Sequence, residues 1–197
     1  MSLPDDQAST VLHPGSFLYP DTLVSTALID YEMGGTDLNN GGDGLMVKPW
    51  ACWADGTGDV VVRPLGSTDA PTLILSAPGI TELSFAFDRN MALTVAYTIG
   101  ETVYLYWYDA IVPGYVTTAF TGIRNPKLTH DDKRDTASSR SDVIFAYMSG
   151  SSLCYRQQRD KYVTEYTLKT NVSPILRLKL IGMNSQLCLQ AEFERIS

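Results

Sequence analysis

Phe87-Asp88-Arg89-Asn90-Met91-Ala92-Leu93-Thr94-Val95-Ala96-Tyr97, continued by Gly100, Leu105-Tyr106-Trp107-Tyr108-Asp109 and Tyr115-Val116-Thr117, decides the fold, because the chain says it twice. The echo is Asp142-Val143-Ile144-Phe145-Ala146-Tyr147, then Gly150, Leu153-Cys154-Tyr155, Asp160 and Tyr162-Val163-Thr164. In both copies a glycine stands three residues after the tyrosine, and Tyr-Val-Thr closes the unit. A repeat of about 40–50 residues built from short strands reads as all-β, with repeated four-stranded antiparallel meanders in a propeller-like arrangement. Residues 80–120 and 124–168 are therefore expected to form two similar meanders, with Tyr97/Tyr147, Gly100/Gly150 and Tyr115/Tyr162 as equivalent positions. Alternation and turn glycines recur in any all-β chain, so the deciding point is whether Tyr97 and Tyr147 fall at the same place in their sheets.

The echo extends outward. Upstream, Trp50-Ala51-Cys52-Trp53-Ala54-Asp55-Gly56 again sets an aromatic three residues before a glycine, and Asp59-Val60-Val61-Val62-Arg63 and Thr72-Leu73-Ile74-Leu75 follow as strands. Downstream, Pro174 to Leu180 and Gln186 to Ala191 resemble the first half of a further unit, so a partial copy is expected at each end. Between the flanks, Met91 to Tyr97 and Thr102 to Tyr108 read as a hairpin turning at Gly100, and Ser149-Gly150-Ser151-Ser152 turns a second one. Both faces of Val103-Tyr104-Leu105-Tyr106-Trp107-Tyr108 are apolar or aromatic, which places that strand inside a sheet covered on two sides. Leu93, Val95, Val103, Leu105, Val143, Phe145, Leu153 and Leu187 are the expected core, whereas Arg156-Gln157-Gln158-Arg159-Asp160-Lys161 reads as an exposed strand end.

Ahead of this body (residues 23–197), residues 1–22 read as an extended arm. Pro4, Pro14, Gly15 and Pro20 prevent a long helix, yet Val11, Leu12, Phe17, Leu18 and Tyr19 need cover, which makes these five the expected assembly contacts. Leu23 to Tyr31 reads as either strand or short helix, and Gly34 to Gly44 as a turn-rich loop.

A chain of 197 residues can hold one domain with a sizeable core. Its formal net charge of −7 argues against a surface built to neutralise phosphates, so no direct nucleic-acid partner is expected. No apolar stretch is long enough to cross a bilayer, and the N-terminal Asp5 and Asp6 do not suit a signal peptide. Cys52, Cys154 and Cys188 lack the close spacing of a zinc or redox site and read as buried strand residues with reduced thiols, made in the cytoplasm.

Chemistry is thinly represented. Asp37, Asn39, Asn40 and Asp43, or Asp131 and Asp132, offer oxygen ligands near glycines, but the closing glutamate and flanking helices of the helix-loop-helix calcium pattern are absent. They read as solvated turns in which Asp and Asn side chains bond nearby backbone amides. His13 and His130 stand apart from any nucleophile turn, no glycine-rich loop leads from a strand into a helix, and no spacing singles out a carboxylate pair. Trp50, Trp53 and Trp107 could stack on sugars, but in a small all-β domain they are expected in core and interface. No catalytic residue, metal or cofactor is expected, and the chain reads as a non-enzyme.

Several phrases carry a resemblance. Ala86-Phe87-Asp88-Arg89-Asn90-Met91 with Thr94-Val95-Ala96-Tyr97, Pro126-Lys127-Leu128-Thr129 before Asp131-Asp132-Lys133-Arg134, Ser141-Asp142-Val143-Ile144 with Ala146-Tyr147, Tyr155-Arg156-Gln157-Gln158-Arg159-Asp160 and the opening Leu3 to Gly15 resemble small virion proteins of tailed bacteriophages, especially short-tailed ones. The resemblance implies a non-enzymatic structural component of the tail or head-to-tail region, located in the virion. It would be a homo-oligomer in a symmetric ring or complex, with other virion proteins as partners. A receptor- or carbohydrate-binding module of a tail fibre is the alternative.

Overall fold

The computed structural model describes residues 29–34, 48–64, 67, 68, 70–88, 92–130, 142–183 and 188–196. The five expected arm contacts, the loops around Asp37–Asp43 and Asp131–Asp135, and Leu187 lie outside them.

The chain is all-β and antiparallel. Three four-stranded sheets follow one another, each with its strands in chain order, and a two-stranded sheet comes last. The first sheet holds β1 (Ile29–Gly34), β2 (Lys48–Ala54), β3 (Asp59–Pro64) and β4 (Thr72–Ser76). The second holds β5 (Ile80–Phe87), β6 (Leu93–Ile99), β7 (Thr102–Asp109) and β8 (Gly114–Thr121). The third holds β9 (Ile123–His130), β10 (Val143–Ser149), β11 (Ser152–Gln157) and β12 (Tyr166–Lys169), with a short 3-10 turn at Gln158–Asp160. The fourth pairs β13 (Leu176–Met183) with β14 (Leu189–Arg195). The described residues close no barrel or propeller ring.

The expected equivalence holds where it was strongest. Tyr97 is the fifth residue of β6 and Tyr147 the fifth of β10, each the second strand of its sheet. Gly100 and Gly150 sit in the hairpin turns that follow, with φ of 60° and 57°. That left-handed conformation is open to glycine without the Cβ penalty, which explains why the same residue recurs at the same place. Upstream, Trp53 lies near the end of β2, so the first unit is a complete four-stranded sheet and not the partial copy expected.

Tyr115 and Tyr162, by contrast, are not equivalent. Tyr115 lies on β8, joined to β7 by the short turn at residues 110–113, and is part exposed. After β11 the chain instead makes the 3-10 turn, and the fourth strand begins only at Tyr166. Tyr162 therefore precedes its strand and drops into the core, T-shaped to Trp107 at 5.3 Å.

Face-to-face stacking explains the burial pattern. Alternate residues of a strand point to opposite faces, so a sheet between two others buries both sets. On β6, Val95 and Tyr97 join Cys52, Val60, Val62, Phe85 and Phe87 between the first and second sheets. Ala96 points the other way, with Val103, Leu105 and Trp107 of β7, onto Val143, Phe145, Tyr147 and Cys154 of the third sheet. The opposite face of β10, Ala146 and Met148, packs with Leu153 against Leu178 and Ile181 of the fourth. The seven described residues of the expected core are all buried. The first strands β1, β5, β9 and β13 are neighbours in that order.

Polar ties run along the same edge. Glu82 of β5 accepts from Asn125 Nδ2 at 2.6 Å and from Thr98 Oγ1 at 2.8 Å, while Ser84 Oγ accepts the Leu128 N–H at 3.0 Å. The bonds from Asn125 and Leu128 join the second and third sheets, and that from Thr98 holds the Glu82 carboxylate in place.

Candidate interaction surface

Carboxylates define the local geometry, and they do so by capping turns. Asp109, the last residue of β7, accepts the N–H groups of Ile111 at 2.8 Å and Val112 at 3.3 Å through Oδ1. Its Oδ2 takes the Lys161 ammonium at 2.7 Å. The hydrogen bond from Lys161, with those backbone donors, holds the Asp109 carboxyl below its ordinary pKa. Asp55 does the same at the β2–β3 turn, accepting from Thr57 and Asp59 N–H groups at 2.8 and 2.9 Å.

The consequence at Asp109 is an apolar tip on a braced base. Ile111 and Val112 are 77% and 68% exposed, followed by exposed Pro113, and their backbone is pinned by the carboxylate beneath. Lys161 ties that tip to the turn of the third sheet, where Val163 is 72% exposed. Below the tip, Tyr115 stacks flat on Tyr106 with centroids 4.6 Å apart and meets Tyr108 edge-on at 5.3 Å. Its hydroxyl oxygen accepts the Leu93 N–H at 3.3 Å, so the aromatic group is fixed. Other exposed apolar groups fall on the fourth strands, Leu73 on β4, Val116 on β8, and Tyr166 and Leu168 on β12, and on or beside the last sheet, Ile175, Leu180 and Ile196.

The polar stretch from Arg156 to Lys161 differs from the exposed strand end expected. Only Arg159 is exposed; the other five are half-buried, and several tie elements together. Arg156 donates to the Tyr147 hydroxyl at 2.6 Å and to the carbonyls of Tyr162 and Val163, pairs with Glu165 at 3.3 Å, and lies over the Phe120 ring at 5.3 Å. The Tyr147 hydroxyl in turn donates to Glu165 Oε2 at 2.6 Å. Burial and that acceptor raise its pKa, so the phenol stays protonated as a donor. Gln158 reaches Asp88 of the second sheet at 3.1 Å, and Arg159 pairs with Asp142 at 2.7 Å.

Two buried carboxylates, Asp88 and Asp142, flank fully buried Tyr162, which has Thr94 beside its hydroxyl. Both carboxylates are already engaged. Asp88 accepts the Ala92 N–H at 2.9 Å as well as Gln158, and Asp142 accepts the Arg159 N–H at 3.1 Å as well as its side chain. Their chemistry is loop closure. Among the described residues, no group of three or more His, Cys, Asp or Glu side chains could hold a metal, and no helix is long and apolar enough to cross a membrane.

The tryptophans serve packing: Trp53 and Trp107 are buried, and Trp50 meets Phe87 edge-on at 5.2 Å. Cys52 and Cys154 are buried in strands as expected, whereas Cys188 is exposed just ahead of β14. Ile111, Val112 and Val163 were missed as candidate contacts, although the apolar run Ala110-Ile111-Val112 before Pro113-Gly114, with no polar residue at a turn tip, is a visible signal. Compared with known proteins, the chain matches no family model, no curated protein and no solved structure.

Proposed function

We propose that this chain is a non-enzymatic structural component of a tailed bacteriophage virion, in the tail or head-to-tail region, with stacked sheets forming a propeller-like body. It assembles in symmetric copies and with other virion proteins, through that body and the N-terminal arm. It needs no cofactor and contacts no nucleic acid directly. The observation that carries this reading is the display of apolar groups on braced, rigid supports: Ile111 and Val112 above Asp109, Val163 beside Lys161, and Leu73, Val116, Tyr166 and Leu168 on the fourth strands. Each Å² of such surface left in water is unfavourable by roughly 25 cal/mol, and clustered exposure of this kind marks contact sites. The turn-capping carboxylates fit an assembly subunit, since they fix the contact geometry before any partner arrives.

The arm supplies the test. Val11, Leu12, Phe17, Leu18 and Tyr19 would be covered by a neighbour in the particle. Deleting residues 1–20 is expected to leave a body with unchanged β-type circular dichroism that no longer enters particles. Normal incorporation of the truncated chain, or unfolding of the body without the arm, would remove the docking role.

A further inference from the structure

The outer edge of the second sheet is unusual for an edge. β8 is last in its sheet, and beyond it no strand pairs among the described residues. Its sequence, Gly-Tyr-Val-Thr-Thr-Ala-Phe-Thr, has eight residues with no charge and no proline. It pairs with β7 in unbroken register from Thr102↔Thr121 to Asp109↔Gly114. Proteins ordinarily blunt edge strands by making them short, charged or bulged. The other outer strands are so treated: β4 has five residues and a register shift against β3, and β12 has four, a shift against β11, and Lys169. β8 has none of these protections.

We infer that two copies of this chain join through β8, edge to edge and antiparallel about a two-fold axis at Thr118. A chain of net charge −7 repels its own copy over much of its surface, so an uncharged strip is where a second copy can approach. A two-fold normal to the sheet keeps each residue on its own face, which requires the numbers of opposed residues to sum to an even value. Centred on Thr118, the axis sets Thr118 against its equivalent, Val116 against Phe120, Thr117 against Ala119 and Tyr115 against Thr121. Val116, Thr118 and Phe120 lie on the same face as their β7 partners Trp107, Leu105 and Val103, whereas Tyr115, Thr117, Ala119 and Thr121 share the other. The pairs are thus aromatic or apolar with β-branched, and threonine with threonine, the combinations that stabilise neighbouring strands. The contact is isologous and closes at two copies, and main-chain hydrogen bonds supply its backbone term.

The virion role is not a premise of this contact. A chain that dimerises but never enters particles overturns the function proposed above and leaves this contact standing; a monomeric chain that enters particles does the reverse. The direct test is sedimentation velocity of the full chain over a range of concentrations. The native chain is expected to sediment as a concentration-dependent dimer. The double substitution T117K/A119K sets ammonium groups opposite one another twice and is expected to raise the dissociation constant about tenfold or more. T117K/A119E sets Lys against Glu twice and is expected to return it to within about threefold of native. A monomeric native chain, or a dimer that T117K/A119K leaves unchanged, overturns the proposal. Should either variant fold poorly by circular dichroism, hydrogen exchange of the native chain decides: β8 amide protection must rise with protein concentration, and protection independent of concentration overturns the contact.

Discussion

Phe145→Ala is expected to lower the unfolding free energy by about 3–5 kcal/mol. Phe145 is fully buried where the second and third sheets meet, with ring centroids 5.3 Å from Phe120, 4.9 Å from Tyr147 and 6.3 Å from Tyr162. Truncation removes the ring from a site whose walls come from β7, β8, β10 and the turn after β11, and those walls cannot collapse without shifting two sheets. Domains are stable by only about 5–15 kcal/mol in total, so this one change removes a large share. Urea unfolding followed by circular dichroism measures it. A loss under about 1 kcal/mol would mean that the two sheets do not share the core described.

Gly58→Ala is the second large effect. Gly58 has φ of +89°, and a Cβ there would stand 2.6 Å from Pro78 Cα, 2.8 Å from Pro78 N and 2.9 Å from Ala77 O. All three are backbone atoms, so no side chain can swing aside. The Gly58 carbonyl also accepts the Ala77 N–H at 2.8 Å, so relief by moving the turn would break a bond linking it to the end of β4. The left-handed backbone adds about 1–2 kcal/mol and the overlap about 1–3 kcal/mol, giving an expected loss of about 2–5 kcal/mol. Gly56→Ala in the same turn is the control, since nothing lies within 4 Å of its Cβ, and it should change stability by no more than about 0.5 kcal/mol. Equal effects at the two glycines would contradict the turn geometry.

How far the sequence could be read depended on how local each signal was. Gly100 and Gly150 were legible because a tight hairpin requires a left-handed residue at one fixed point, whatever surrounds it. Val103, Leu105 and Phe145 were legible because alternation alone assigns faces, and apolar residues on both faces imply two covers. Tyr162 was misread because its three-residue motif copies Tyr115, whereas its place depends on the 3-10 turn before it, and Gln158-Arg159-Asp160 carries no strong signal for such a turn. Arg156 was misread for a related reason. A polar run looks solvated, and its partners Tyr147 and Glu165 are brought to it only by the pairing of β10 with β11 and the turn that follows.

The interaction surface was less legible than the core. Prolines and apolar residues make the arm stand out in the sequence, yet described exposed apolar groups lie on the β7–β8 tip, at Val163, on the fourth strands and on or beside the last sheet. Ile111 and Val112 resemble strand residues until Asp109 is seen to end β7 and cap the turn. The bare edge of β8 could not be read either, because edge position is a property of sheet order and not of any residue within the strand.

The proposal that this chain builds a particle is tested by a reconstruction of the intact virion from a genome carrying its gene. Density is expected for three consecutive four-stranded sheets and a two-stranded sheet, stacked in chain order. It should recur in symmetric copies in the tail or head-to-tail region, with the Ile111–Val112 tip or the fourth strands against neighbouring protein. Purified infectious particles that lack the chain altogether would contradict it.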